Sequence, residues 1–237
     1  MDFNEGEVLY IDKPYRMSSF GALARVRYLV SRSMNVKKVK MGHAGTLDPL
    51  ATGVMILCTG KATKRIEEFQ YHTKEYITTL QLGATTPSFD LEHPVDFTYP
   101  TNQITCELIE EKLKEFIGSI EQVPPAYSAC KVNGDRAYEL MRKGKEVTLK
   151  AKTLVIDELE MTDFNPEMMQ MSIRVVCSKG TYIRALARDI GNSLGSGAYL
   201  TALRRTRVGD VKVENCITLE DFPEWLSKQE IENNIKK

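Results

Sequence analysis

Residues 42–58 read GHAGTLDPLATGVMILC, and the fold turns on how that string divides. Its second part, Val54-Met55-Ile56-Leu57-Cys58, is an unbroken apolar run of strand length, the pattern of a strand covered on both faces. Its first part is a loop. Gly42, Gly45 and Gly53 permit tight turns and close backbone approach, while Pro49 fixes its own φ and biases Asp48 towards an extended backbone. A carboxylate therefore stands on a constrained loop in front of a buried strand, with His43 five residues earlier. A loop fixed by a rigid scaffold suits a reactive group. A lone Asp-Pro pair more often just caps a turn, so it is the whole of 42–53 that carries the functional reading.

Outward from this string, strands and helices mix without regular βαβ repetition. GEVLYIDKP (6–14) reads as a first strand and loop, after which Ser18 or Ser19 is a plausible N-cap for an amphipathic helix with Phe20, Leu23, Val26, Leu29 and Val30 turned inward. Residues 61–70 read as helical. Residues 75–82 read as a strand with Tyr76, Thr78, Leu80 and Leu82 on one face. An amphipathic helix over 105–117 ends at Gly118, and Met169, Met171, Ile173, Val175 and Cys177 repeat with the period of a strand. Gly180 then opens a helix whose Ile183, Leu186, Ala187, Ile190 and Leu194 share a face, with Gly195 as its C-cap. No repeat or linker divides the chain, so one main domain over 1–220 is expected, bearing an insertion at about 123–150 that contains the turn Asn133-Gly134 and the basic helical segment RAYELMRKGK. Residues 221–237 form a short tail in which SKQEIENNIKK reads as a polar helix.

The composition, 42% hydrophobic and 27% charged over 237 residues, is that of a globular chain with room for a sizeable core. No apolar run approaches the roughly 20 residues that span a bilayer, and the acidic N-terminus lacks a signal-peptide core, so a cytoplasmic location is expected. Five widely spaced cysteines offer neither a disulfide framework nor a C-x-x-C zinc pair and read as buried small hydrophobes. His43, His72 and His93 have no zinc-ligand spacing. GVMILCTGK fails as a phosphate loop, because six residues separate Gly53 from Gly60 and Ala62 stands where Ser or Thr is needed. Formal net charge is zero, yet cations cluster in 31–40, 60–65, 131–145 and 203–207 while acids gather in 106–116 and around Glu220, Asp221 and Glu224. That lopsidedness favours an RNA-facing side.

The string 42–53 resembles the signature of the tRNA pseudouridine synthase B family, in which its aspartate is the catalytic carboxylate. KEYITTLQLG (74–83), VPPAYSACKVNG (123–134), CSKGTYIRALARDIG (177–191) and LRRTRVG (203–209) resemble that family's later motifs in the same order, so the resemblance spans roughly 8–220. It implies the pseudouridine synthase fold, an α/β (α+β) architecture with a mixed, mainly antiparallel sheet flanked by helices and an RNA-binding insertion. It also implies a tRNA isomerase acting on the T-loop uridine, position 55, of the T-arm, as a monomer without metal or cofactor and without a DNA or membrane partner.

By the same resemblance Asp48 acts at the sugar, Tyr76 packs on the flipped uracil, and Arg184 lies beside the catalytic carboxylate, where an arginine favours its charged form. Tyr182 and Leu203 line the pocket, His43 fills space near displaced nucleotides, and Lys13 orders the site from IDKPYRMSS, in which Arg16 replaces the family's glycine. Lys143 and Lys145 belong to the loop that grips RNA. The resemblance also implies a form without the C-terminal PUA module of many relatives. A non-catalytic RNA-binding protein and a base-excising hydrolase are the competing readings; the first is disfavoured by intact Asp48, Tyr76 and Arg184.

Overall fold

The computed structural model describes residues 1–128, 130–132, 134–145 and 147–232, with the side chains of Lys131 and Val132 left out. In chain order it runs β1 (Val8–Lys13), α1 (Ser19–Ser33), β2 (Met41–Ala44), β3 (Thr52–Thr59), a 3-10 helix at Gly60–Arg65, α2 (Ile66–Tyr71) and β4 (Lys74–Leu82). It continues with β5 (Ala84–Thr85), β6 (Phe97–Thr98), α3 (Cys106–Lys114), β7 (Gly118–Gln122), β8 (Lys131–Val132), β9 (Asp135–Arg136) and α4 (Ala137–Arg142). The last part holds β10 (Lys152–Asn165), β11 (Gln170–Cys177), α5 (Ile183–Ser193), β12 (Ala198–Val208), β13 (Val211–Lys212), β14 (Ile217–Thr218) and α6 (Phe222–Ser227). Two compact units result, Met1–Glu75 with Arg204–Lys237, and Tyr76–Leu203.

In the first unit the strand order is β14-β1-β3-β12, with β2 on β3 and β13 on β12. β1 pairs antiparallel with β3, from Val8 opposite Cys58 to Lys13 opposite Gly53. β3 is apolar without a break from Val54 to Cys58 because each of its faces meets a different core there. Met55 and Leu57 join Leu9, Ile11, Leu23, Val26, Val30 and Phe222, whereas Val54, Ile56 and Cys58 join Ala44, Phe69 and Val208. Burying such a side chain stabilises by about 1.5–3 kcal/mol. Ser18 caps α1, its Oγ accepting from the Gly21 N–H at 3.0 Å.

Phe20 departs from the expected inward face and is 66% exposed. At about 100° per residue it lies roughly 120° round the helix from the centre of the arc set by Ala22, Leu23, Val26, Leu29 and Val30, and Ala22 occupies the core in its place. Arg16, in the turn before α1, has φ 59, a left-handed conformation that costs a non-glycine residue about 1–2 kcal/mol.

In the second unit the order is β12-β4-β11-β10-β7. Tyr76, Thr78, Leu80 and Leu82 share the buried face of β4, as their alternation requires. β10 and β11 form a long antiparallel hairpin interrupted by irregularities at Ile156/Glu158 and Met161/Asp163. Met171, Ile173 and Val175 are fully buried, but Met169 falls before the strand with φ 49 and belongs to the turn. α3, capped by Thr105, buries Ile109 and Leu113 and packs on β10 and α5. The 123–150 segment contains the β8–β9 hairpin and α4; Asn133 of the expected turn lies outside the described residues, and Gly134 has φ +95.

Two further expectations are corrected. Only Cys58 and Cys177 are buried; Cys106 is exposed at the start of α3, and Cys130 and Cys216 are half-buried, because each of these three sits at an element's edge or in a loop. The C-terminal helix is Phe222–Ser227, anchored by buried Phe222 and Leu226, whereas 228–232 are not helical and 233–237 lie outside the described residues. Among the described residues no helix is long and apolar enough to cross a membrane.

Candidate active site

Asp48 is half-buried on the loop between β2 and β3, and three side chains of the first unit hold that loop. Ser19, at the start of α1, donates its hydroxyl to the Leu47 carbonyl at 2.9 Å and accepts from the Leu47 N–H at 2.8 Å. One buried hydroxyl thus satisfies both polar groups of the residue preceding Asp48. Removing it would leave them unpaired at about 1–3 kcal/mol. Lys13, fully buried, donates its Nζ to the carbonyls of Pro14 at 2.9 Å, Met17 at 2.6 Å and Pro49 at 3.4 Å. Burial pushes its ammonium down to about 8, opposed chiefly by the negative charge of Asp48, so the two groups sense each other.

The third support is Arg205, which is 2% exposed; its Nε donates to the Val54 carbonyl at 2.8 Å and a terminal nitrogen to the Gly45 carbonyl at 3.2 Å. The backbone beside it explains Gly53, which pairs with Arg205 across the β3–β12 ladder at φ +106. A Cβ there would stand 2.1 Å from the Arg205 carbonyl oxygen. Gly45, at φ +91, turns the chain back toward Asp48. Neighbouring Arg204 forms a two-pronged ion pair with Asp12, at 2.7 and 3.2 Å. His43 lies on β2 opposite Leu57 and is half-buried.

The second unit holds its candidates by a parallel device. Tyr182 N-caps α5; its N–H donates to Gln122 Oε1 at 2.9 Å, and Gln122 Nε2 donates to its carbonyl at 3.2 Å. Gln122 is 1% exposed. The Tyr182 hydroxyl lies 3.1 Å from Cys130 Sγ, and burial, with the thiol contact adding to it, pushes the phenol well above its ordinary range.

Arg184, 4% exposed in the first turn of α5, donates to the carbonyls of Ser88 at 3.1 Å and Tyr127 at 2.9 Å, and its Nε lies 3.7 Å from Asp90 Oδ2. Asp90 is itself fixed by the Ser88 hydroxyl at 2.6 Å and the Glu92 N–H at 2.9 Å. Tyr76 and Leu203 occupy the neighbouring strands β4 and β12, Tyr76 buried and Leu203 half-buried. Lys143 and Lys145 are exposed beyond α4, where both backbone N–H groups turn back to the Leu140 carbonyl, at 3.0 and 3.1 Å.

Lys13 and Asp48 are thus brought together in one unit, and Tyr182 and Arg184 in the other. Ser19, Arg205, Gln122 and Asp90 were not anticipated as supports. The one local signal for Asp90 is the run TPSFDLEH (86–93), whose hydroxyls flank the carboxylate.

Residues 32–183 match the family described as TruB family pseudouridylate synthase, N-terminal domain. The chain belongs to the TruB family. Residues 184–237 match the tRNA pseudouridylate synthase B C-terminal domain. Among TruB relatives, the tRNA pseudouridine synthase B of Phocaeicola vulgatus is 68% identical over 237 residues, covering all of both chains. That of Flavobacterium johnsoniae is 49% identical over 226 residues, covering 95% of this chain and 98% of the relative. Among solved structures, a chain of a Cbf5-Nop10-Gar1 complex superposes with a TM-score of 0.69 at 29% identity. The alignment covers 94% of this chain, which spans 55% of that one. The TruB fold of this chain is accordingly α+β, with a mixed, mostly antiparallel sheet.

Proposed function

We propose that this chain is a tRNA pseudouridine synthase that isomerises the T-loop uridine at position 55. The observation that carries the reading is the Asp48 loop. A half-buried carboxylate is presented on a loop whose backbone is clamped by Ser19, Lys13 and Arg205, the pre-organisation that catalysis at a fixed atom requires. The relatives named tRNA pseudouridine synthase B, similar over their full length, supply the substrate.

The reaction breaks the N1–C1′ bond of uridine, turns the held uracil, and joins C5 to C1′; the proton lost from C5 is matched by one gained at N1. Nothing is consumed, so the balance calls for no redox partner or group donor. The uridine must leave its stack, costing about a few kcal/mol. Stacking on Tyr76, at about 1–3 kcal/mol per base, offsets that cost. In this reading Asp48 acts at the sugar, Arg184 is a further catalytic group, and the Tyr76 hydroxyl assists proton removal at C5. Tyr182 and Leu203 wall the detached base from water, His43 fills space beside displaced nucleotides, Lys13 steadies the catalytic loop, and Lys143 and Lys145 grip the T-arm. The enzyme works as a monomer in the cytoplasm.

The test is nucleoside-resolved mapping of an unmodified tRNA transcript after incubation with purified protein in EDTA. Pseudouridine is expected at the T-loop uridine; its absence, or its formation only at other positions, would contradict the assignment.

A further inference from the structure

The chain carries equal numbers of acidic and basic residues, 32 of each, yet between Asp12 and Asp48 it has no acidic residue at all. That stretch holds Lys13, Arg16, Arg25, Arg27, Arg32, Lys37, Lys38 and Lys40. Lys13 is consumed by the loop. Of the other seven, all but half-buried Arg27 are exposed, and none forms an ion pair among the described residues.

Three of these cations lie over exposed aromatic rings. The Arg16 guanidinium is 5.5 Å from the Tyr15 ring centre, that of Arg27 5.9 Å from Phe20, and that of Arg32 5.8 Å from Tyr28, whose hydroxyl it also meets at 3.2 Å. Tyr15, Phe20 and Tyr28 are 46%, 66% and 58% exposed. The inner face of α1 is fixed by Leu23, Val26 and Val30 in the core, so the helix cannot rotate to hide them. Arg16 is held outward on the strained left-handed turn that also supplies two of the carbonyls around Lys13.

We propose that the acid-free outer face of α1, from the Tyr15–Arg16 turn through Phe20 and Tyr28 to Lys37 and Lys38, is an additional RNA-binding surface that takes the body of the tRNA beyond the target nucleotide. The chemistry selects a polyanion with flat faces: phosphates answer an uncompensated cation stripe, and bases or riboses pack on the arginine-backed rings. Continuity with the Asp48 loop supports the choice, because the first turn of α1 holds Leu47 through Ser19, so the N-terminal end of this face begins beside that loop. The assignment rests on the reading of the chain as a tRNA-modifying enzyme.

The test compares the full chain with Arg25→Ala/Arg32→Ala/Lys37→Ala/Lys38→Ala and, separately, Phe20→Ala/Tyr28→Ala, measuring binding of an unmodified tRNA transcript across a salt series. The charge variant is expected to bind at least about tenfold more weakly near 0.1 M salt, with its log–log salt slope reduced by about 3–4, about 0.7–0.9 for each of the four lost phosphate contacts. Its kinetic loss falls on KM. The aromatic variant weakens binding with little change of slope. Unchanged affinity and slope in the charge variant would overturn the proposal, as would a change in self-association by sedimentation with RNA affinity intact, which would mark the face as a protein contact. Wild-type protein assayed in parallel separates the two claims: absent pseudouridine counts against the isomerase reading, whereas the surface stands or falls on the variant's affinity and slope.

Discussion

Two peptide clamps, one in each unit, hold candidate residues by the same device, a neutral side chain that both donates and accepts. In the first unit a single hydroxyl, Ser19, meets both the N–H and the carbonyl of Leu47, one residue before Asp48. In the second a single carboxamide, Gln122, does the same for Tyr182, two residues before Arg184. Each clamp is nearly fully buried and each reaches a residue far off in sequence. A group that both donates and accepts can freeze a peptide without adding charge. The charge is then supplied beside it, by Lys13 in one case and by the Asp90–Arg184 pair in the other.

The largest disturbance of this comparison comes from Gly53→Ala, which adds a Cβ 2.1 Å from a backbone oxygen at a positive φ. Overpacking and left-handed strain together are expected to cost about 2–5 kcal/mol in urea unfolding. Ser19→Ala and Gln122→Ala come next and test the parallel itself. Each should lose about 1–3 kcal/mol of stability, and Ser19→Ala should lower turnover up to about 100-fold by loosening the loop under Asp48. A silent variant at either position would break the parallel.

Lys13→Met sharpens the electrostatic side. Because the native pKa is pushed down to about 8 from 10.5, between those values the unfolded chain holds a proton that the native chain has released. The wild type should therefore gain stability relative to Lys13→Met as pH rises from 8 to 10.5, and lose that advantage as pH falls through 8. Unfolding free energies measured at intervals from pH 7 to 10 check the sign. The smallest effect is expected for Arg16→Gly, which relieves a left-handed residue but loosens the unfolded chain, for a net gain of about 0.5–1 kcal/mol in thermal unfolding.

The sequence revealed what is local. The loop at 42–53 and the strand behind it are contiguous, and β3 is apolar from Val54 to Cys58 because both of its faces are covered there. The cap of α1 and the alternation of β4 were readable for the same reason. The supports were not readable, because Arg205 reaches Val54 across 151 positions and Gln122 reaches Tyr182 across 60. β10 has no legible strand period in the sequence, because two register irregularities break it. Phe20 shows the limit of apolar character as a guide: its angle round the helix, not its hydrophobicity, sets its exposure. That angle is what exposes the aromatic face of α1.

Asp48→Asn tests the central assignment most directly, because it keeps the size and hydrogen-bonding reach of the side chain while removing its charge. With unmodified tRNA, the variant is expected to bind as the wild type does and to form no pseudouridine. Turnover retained in a preparation free of host synthase would show that Asp48 is not the catalytic carboxylate.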